Sequence, residues 1–204
     1  MADQPVIRLF RFRPAHVEFD HTLRTVMLPD LRELPGLIDV YVGRHGPEAL
    51  DGRIVVSVWA DHGSMVAGVG ESLTAPIFHP DRMSETHDRV LEVHRLAVAL
   101  RFDLPTEPTI LRVVQGTVKP GELVLYVEDA RAGTLADAAT ARGPNALFLA
   151  PVPPDRFITV SLWPSWAAIE TATGGDVHRP IVTRDPRRIV AMDVVHYEVV
   201  SDGT

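Results

Sequence analysis

The sequence predicts an α+β protein of two tandem ferredoxin-like (β-α-β-β-α-β) units, whose antiparallel sheets pack face to face as an intramolecular α+β barrel. The main observation is a repeat. An apolar run that ends in Ser57 and Trp59 returns, about 104 positions later, as a run that ends in Ser161 and Trp163. A polar break and a helix-like run follow each copy. In a chain of 204 residues, the repeat predicts a first unit over 1–103, a linker over 104–108 and a second unit over 109–204.

The elements of the first half follow from apolar periodicity and from cap and turn signals. Asp20 is predicted to cap a first helix, which continues beyond Pro29 as a short second piece, and Asp61 is predicted to cap the second helix. The predicted strands cover residues 6–12, 37–44, 54–59 and 90–100. Together these elements give the order β-α-β-β-α-β.

The second half repeats this order. Residues 123–127 read as a strand by propensity, but a spacing near 3.6 and the repeat itself predict a helix over 122–141. Ser165 is predicted to cap the last helix. The predicted strands cover residues 110–118, 145–150, 157–163 and 189–200.

Composition narrows the classes of function. Hydrophobic residues make up 46% of the chain and the net charge is −7, so the chain can bury a core, and its acidic surface disfavours nucleic acid as a partner. The absence of cysteine removes disulfides, thiolate nucleophiles and Cys-ligated metals. No apolar run reaches the roughly 18–20 residues of a membrane helix. We therefore expect a cytoplasmic protein without a membrane segment.

The duplication has a physical consequence. A ferredoxin-like unit carries both helices on one face of its sheet and leaves the other face apolar, and such a face usually has a partner. Burying it stabilises the fold by roughly 25 cal/mol per Å² before entropy is subtracted. We expect an intramolecular pseudo-dimer, and the sequence leaves a further homodimer open.

Short motifs suggest a family. The segment 31–37 has a Pro-Gly before the second strand, 42–44 reads Val-Gly-Arg, and the third strand ends in Trp within 57–61 and again within 161–165. These motifs resemble the dimeric α+β barrel superfamily, particularly its antibiotic-biosynthesis-monooxygenase-like branch. The resemblance implies a cavity between sheet and helices in each half. Members of this superfamily include cofactor-free oxygenases of polyphenols, haem-degrading enzymes, lactone isomerases and proteins without known activity, so the resemblance leaves the activity open among these classes.

The candidate site residues each have a structural alternative. Trp59 and Trp163 are predicted either to line a substrate pocket or to pack the core at a strand–helix junction. His79 and His178 occupy matching places after the second helix of each half. Haem-degrading relatives carry a proximal histidine near there, but the Asn and the second Trp that accompany it are missing, so an interaction with the end of the helix is favoured.

Three further side chains are candidates. His94 shares a strand face with Glu92, which suits a general base and its orienting carboxylate, or a face that meets solvent. Arg11 and Arg13 share a face and would hold an anionic substrate or line the sheet edge. No group of residues has familiar metal-ligand spacing, so no metal site is predicted.

The resulting hypothesis is a small-molecule enzyme: a cofactor-independent, monooxygenase-like protein acting on an aromatic or polyketide-like substrate in a helix–sheet cavity. In this hypothesis His94, His79 and His178 are the catalytic candidates, and Trp59, Trp163, Arg11 and Arg13 bind substrate. One alternative is a non-catalytic barrel that binds a hydrophobic ligand, as stress-type proteins do. A lesser alternative is a haem-binding protein, for which a Soret band is the discriminating observation.

Overall fold

The computed structural model of the protein describes residues 4–48, 51–70, 86–102, 106–139, 143–179 and 185–200. The chain forms two compact units, one of Met1–Arg95 with Tyr197–Thr204 and one of Leu96–His196. Each unit combines helices with antiparallel strands, so the predicted α+β class is confirmed. Within the described residues, no helix is long and apolar enough to cross a membrane.

The elements of the first unit are β1 (Val6–Pro14), α1 (Phe19–Thr22), a π-helical turn (Leu23–Met27), α2 (Leu28–Arg32), β2 (Leu37–Arg44), β3 (Arg53–Trp59), α3 (His62–Val69) and β4 (Thr86–Arg95). Its sheet has the order β4-β1-β3-β2, and the end of a strand from the second sequence half pairs with β2. Asp61 caps α3 by accepting the Ser64 N–H at 2.7 Å.

The elements of the second unit are β5 (Val98–Arg101), β6 (Ile110–Val118), α4 (Leu123–Ala139), β7 (Ala146–Val152), β8 (Arg156–Trp163), α5 (Trp166–Thr173), a 3₁₀ turn (Pro186–Arg188) and β9 (Ile189–Val199). Its strands have the order β9-β6-β8-β7-β5. Ser165 caps α5 by accepting the Ala168 N–H at 3.2 Å. The helix predicted over the strand-like stretch 123–127 is therefore present.

The strand predicted over residues 90–100 is wrong as one element. It is divided into β4, which ends at Arg95, and β5, which begins at Val98. The residues up to Arg95 pair with β1, whereas Ala97 donates its N–H to Leu149 O at 2.8 Å and β5 pairs with β7. The division follows the change of pairing partner, which apolar periodicity cannot reveal.

Each unit buries two apolar clusters on the helix-bearing face of its sheet. In the first unit, one cluster lies under α1 and α2 and includes Phe10 and Phe19, and the other joins Trp59 to Met65 of α3. In the second unit, one cluster lies under α4, and the other joins Trp163 to Ile169 of α5. Between the two clusters of each unit, apolar groups enclose a polar side chain of the sheet.

Candidate functional site

A buried arginine lies in that space in the second unit. Arg112 is opposite Ser161 in the pairing of β6 with β8, so it shares a sheet face with Val114, Thr159 and Trp163. Val114 belongs to the cluster under α4 and Trp163 to the cluster under α5. The Arg112 side chain is 2% exposed, which is exceptional for a cation that has no carboxylate partner within the part of the chain that the structure describes.

The partners of Arg112 are two backbone carbonyls in the loop after α5. Its Nη2 donates to Arg179 O at 2.6 Å and to Val177 O at 3.4 Å. Its Nε is buried and has no hydrogen-bond partner among the described residues. Burial lowers the pKa of Arg112 from 12.5 to about 10, and the nearby Tyr126 opposes that shift. At neutral pH the group is therefore a buried cation with unused hydrogen-bonding capacity.

A phenol completes the cluster. Tyr126 of α4 is buried, stacks on Phe157 with ring centroids 4.2 Å apart, and is hydrogen-bonded to the Thr159 side chain. Burial raises the pKa of the Tyr126 hydroxyl well above its ordinary value, while Thr159 and the Arg112 charge oppose that shift. The phenol thus stays protonated and can donate a hydrogen bond, and it cannot serve as a base near neutral pH.

The two predicted tryptophans are fully buried and make the same contact. The Trp163 indole N–H donates to Ser161 Oγ at 2.9 Å, and the Trp59 indole N–H donates to Ser57 Oγ at 3.0 Å. In the first unit, Gly68 permits the close approach of α3, because a Cβ there would lie 2.8 Å from the Trp59 ring. This geometry supports the packing alternative for both side chains.

The corresponding space in the first unit is filled differently. Arg8 is fully buried, lies 5.9 Å from the Phe10 ring, and has its pKa lowered by burial to about 10. Phe10 and Phe12 stand 104 positions before Val114 and Gly116, and their rings stack at 5.0 Å.

At the end of this space the two units also differ. Arg53 forms a two-pronged ion pair with Asp20, both hydrogen bonds being 2.9 Å long. In the second unit the stack of Tyr126 on Phe157 takes the corresponding place, since Phe157 stands 104 positions after Arg53. An ion pair therefore closes one unit where an aromatic stack closes the other.

The other predicted site residues do not join these clusters. His94 and Glu92 lie opposite Ile7 and Leu9, on the sheet face that does not carry Arg8. Glu92 accepts a hydrogen bond from Arg11, so the carboxylate expected to orient His94 has a cationic partner. Arg13 is exposed, 3.6 Å from Asp88.

The two predicted histidines after the second helices have different outcomes. His79 lies outside the described residues. His178 is exposed and lies in the loop whose flanking carbonyls accept from Arg112. Its ring meets that of His196 at a centroid distance of 5.4 Å. Among the described residues, no group of three or more His, Cys, Asp or Glu side chains could hold a metal.

Sequence reasoning missed Arg112, Tyr126 and Thr159. One signal was present: Arg8 and Arg112 stand 104 positions apart, at the same place in two strands that are otherwise apolar up to that point. A charged residue that recurs within a predicted apolar strand indicates that the fold provides polar partners for it there. Nothing in the sequence indicated that Tyr126 would turn towards Thr159.

The arrangement defines an α+β protein with a buried cation beneath its helices. Two solved structures share the fold over 98% of this chain. A proposed monooxygenase from Lactobacillus acidophilus has a TM-score of 0.76 at 11% identity and is covered over 95% of its length. A proposed monooxygenase from Fusobacterium nucleatum has a TM-score of 0.71 at 9% identity and is covered over 94%.

An anthrone oxidase-like protein is also similar, with a TM-score of 0.59 at 17% identity, over 98% of this chain and 93% of its own. No protein-family model and no curated protein sequence matches the chain. At these identities the likeness concerns the fold alone. The fold that the sequence motifs implied is therefore the fold that these monooxygenase-like structures share with the chain.

Proposed function

We propose that this protein is a cofactor-independent, monooxygenase-like enzyme that oxidises a phenolic or polyketide-like aromatic substrate with dioxygen. The observation that carries the proposal is the enclosed Arg112, whose Nε has no partner among the described residues, beside the neutral hydroxyl of Tyr126. The likeness of the fold to monooxygenase-like structures supports the choice of reaction class. A buried cation with a free donor is suited to an anion that forms within an apolar enclosure.

The chemistry needs only the substrate and dioxygen. Anthrone illustrates it: a base removes a proton, the resulting enolate reduces dioxygen, one oxygen atom becomes the second carbonyl of the quinone, and the other leaves as water. The four electrons come from the substrate, so no separate reductant is required. Arg112 stabilises the enolate oxygen, and Tyr126 or Thr159 donates a hydrogen bond to it. His178, in the loop bound by Arg112, is the candidate base.

The second unit is the proposed working half. In this half the buried Arg112 has an Nε without a partner among the described residues and lies near the hydrogen-bonded hydroxyls of Tyr126 and Thr159. In the first unit, the Arg53–Asp20 ion pair and the stacked Phe10 and Phe12 take the corresponding places. Buried polar groups without partners are costly and are retained for function more readily than for stability. Trp163 then supports Ser161 at the floor of the site.

The test is aerobic oxidation of anthrone by the purified protein, followed by the absorbance of the quinone product. We expect Arg112→Met to lower kcat/KM by about 10²-fold, comparable to the loss of one oxyanion donor. Arg8→Met is the matched control in the first unit and should keep most of the activity. Equal losses in both variants, or activity that survives Arg112→Met, would contradict the assignment.

Two further measurements on the purified protein distinguish the alternative functions. Ligand binding without turnover, measured by quenching of tryptophan fluorescence, would favour a non-catalytic hydrophobic-ligand-binding protein and overturn the enzyme proposal. A Soret band in the purified protein would favour haem binding.

The remaining sequence predictions extend this proposal. We propose that the two halves, 1–103 and 109–204, arose by duplication and form an intramolecular pseudo-dimer. The element order that recurs in the two units supports the duplication. The substrate-contacting roles predicted for Trp59, Arg11 and Arg13, and the catalytic role predicted for His94, stay predictions, and alanine variants in the anthrone assay test each of them.

A further inference from the structure

A second cluster of functional side chains lies on the second unit and shares His178, the candidate base, with the proposed oxidation. It consists of His178, His196 and Trp166. The ring centroids of His178 and His196 are 5.4 Å apart with planes at 77°, and those of Trp166 and His196 are 4.9 Å apart. His178 is exposed, Trp166 is 41% exposed, and His196 is buried. One side of the pair is thus open to solvent.

The separation of the two imidazoles suits a shared metal ion. With metal–nitrogen bonds of about 2.0–2.1 Å, the centre of a coordinated ring lies roughly 3.2 Å from the metal, so two rings at a tetrahedral angle have centroids about 5.2 Å apart. The observed 5.4 Å is close to that value. Planes that are nearly perpendicular let both rings direct a nitrogen to one point without overlapping.

The pair is also held in place. His196 lies on β9, and the backbone N–H of His178 donates to Asp176 Oδ1 at 3.0 Å. The carbonyls on either side of His178, those of Val177 and Arg179, accept from the buried Arg112. A ligand whose backbone is fixed before the metal arrives loses little conformational entropy on binding.

We propose that His178 and His196 form a two-histidine site for a divalent transition-metal ion, with Cu²⁺ favoured over Zn²⁺ and water completing the coordination. Imidazole suits both ions, and a given nitrogen site binds Cu²⁺ more tightly than Zn²⁺. The neighbouring Asp176, whose carboxylate accepts the His178 backbone N–H, adds a negative charge that attracts the ion. The proposed oxidation requires no metal, and a metal bound at this site would occupy the His178 imidazole that the oxidation uses as its candidate base.

Trp166 provides the readout. Cu²⁺ bound to His196 would lie close enough to Trp166 to quench its fluorescence, whereas Zn²⁺ would bind without quenching and would reverse the quench by competition. The experiment titrates the metal-free full chain with Cu²⁺ alone, following fluorescence and, separately, heat. We expect a saturable one-to-one quench.

Variants separate the site from adventitious binding to the other histidines. His178→Ala and His196→Ala should each weaken Cu²⁺ binding by more than about tenfold, since even the loss of an outer-shell partner costs 10–100-fold. His62→Ala is the matched control and should bind as the unaltered protein does. Trp166→Phe should abolish most of the quench but keep the heat of binding. Because His196→Ala also removes buried packing, His178→Ala, at an exposed position, is the decisive variant.

Cu²⁺ binding that is unchanged in His178→Ala would overturn the proposal, as would the absence of one-to-one binding. The proposed function is tested by Arg112→Met in the metal-free protein, which leaves both histidines in place, so the two proposals fail separately.

Discussion

The two buried arginines Arg112 and Arg53 should differ sharply in what they contribute to stability. Arg112→Met removes a cation whose pKa is lowered from 12.5 to about 10 by burial, which corresponds to a relief of about 3 kcal/mol. It also removes the hydrogen bonds to Arg179 O and Val177 O, which contribute about 2–4 kcal/mol together, since bonds to charged groups contribute about 1.5–3 each and the longer one is weak. The two effects nearly cancel, so we expect a change of no more than about 1 kcal/mol.

In Arg53→Met, the free energy lost with the ion pair is not offset by a comparable gain from removing a buried cation. Its guanidinium is fully buried, binds both oxygens of Asp20 at 2.9 Å, and also donates to Asp51 O at 2.6 Å. Removing it leaves the Asp20 carboxylate, which is 19% exposed, without its cation. Breaking a buried pair from one side costs about 3–5 kcal/mol, and the partial exposure of Asp20 favours the lower end of that range, about 3 kcal/mol.

Urea unfolding followed by circular dichroism measures both changes from the midpoint and slope. A loss of stability in Arg112→Met as large as that in Arg53→Met would refute the reasoning, because it would mean that Arg112 contributes substantially to the stability of the fold. A small loss together with a large fall in anthrone oxidation is the combination that the proposed function requires.

Two further predictions concern helices and caps. Gly133→Ala should stabilise the protein by about 0.8–1.0 kcal/mol, because nothing lies within 4 Å of the new Cβ. Gly68→Ala should instead destabilise it by up to about 2 kcal/mol, because the Cβ would meet the Trp59 ring at 2.8 Å and overpacking costs about 1–3 kcal/mol. Thermal unfolding of the pair is the measurement, and stabilisation by both would contradict the packing. For Asp61, the N–H and hydroxyl of Ser64 hold the pKa of the carboxyl below its usual 3.8. The stabilisation is therefore complete above about pH 4 and lost as the pH falls further. Asp61→Asn should show less loss of stability than the unaltered protein between pH 6 and 3, and equal losses would exclude Asp61 as the cause.

The fold was largely predictable because it depends on periodicity and on local signals. The caps Asp61 and Ser165 each accept an N–H in the first turn of a helix, as predicted from residue type and position. The helix over 122–141 was predicted against the propensity of its first residues, and α4 is helical from Leu123. Such features are decided within a few residues of sequence, so the sequence alone specifies them.

The candidate site was predictable only in part. Trp59 and Trp163 were identified, but their indole N–H groups bind serines two residues earlier on the same strand, which favours packing. Arg11, predicted to bind substrate, pairs with Glu92 across strands. That pairing depends on the register of β1 against β4, which local sequence does not contain.

What the sequence determined by itself was the recurring element order, the caps Asp61 and Ser165 and the apolar faces, because these follow from residue type and short-range spacing. The tertiary structure alone decided where the fourth strand divides, that Arg112 lies buried near Tyr126, and which histidine stands beside His196. Each of these features depends on contacts between residues far apart in the chain. The free energy of placing a polar group there depends on how deeply it is buried and on which partners the fold brings to it.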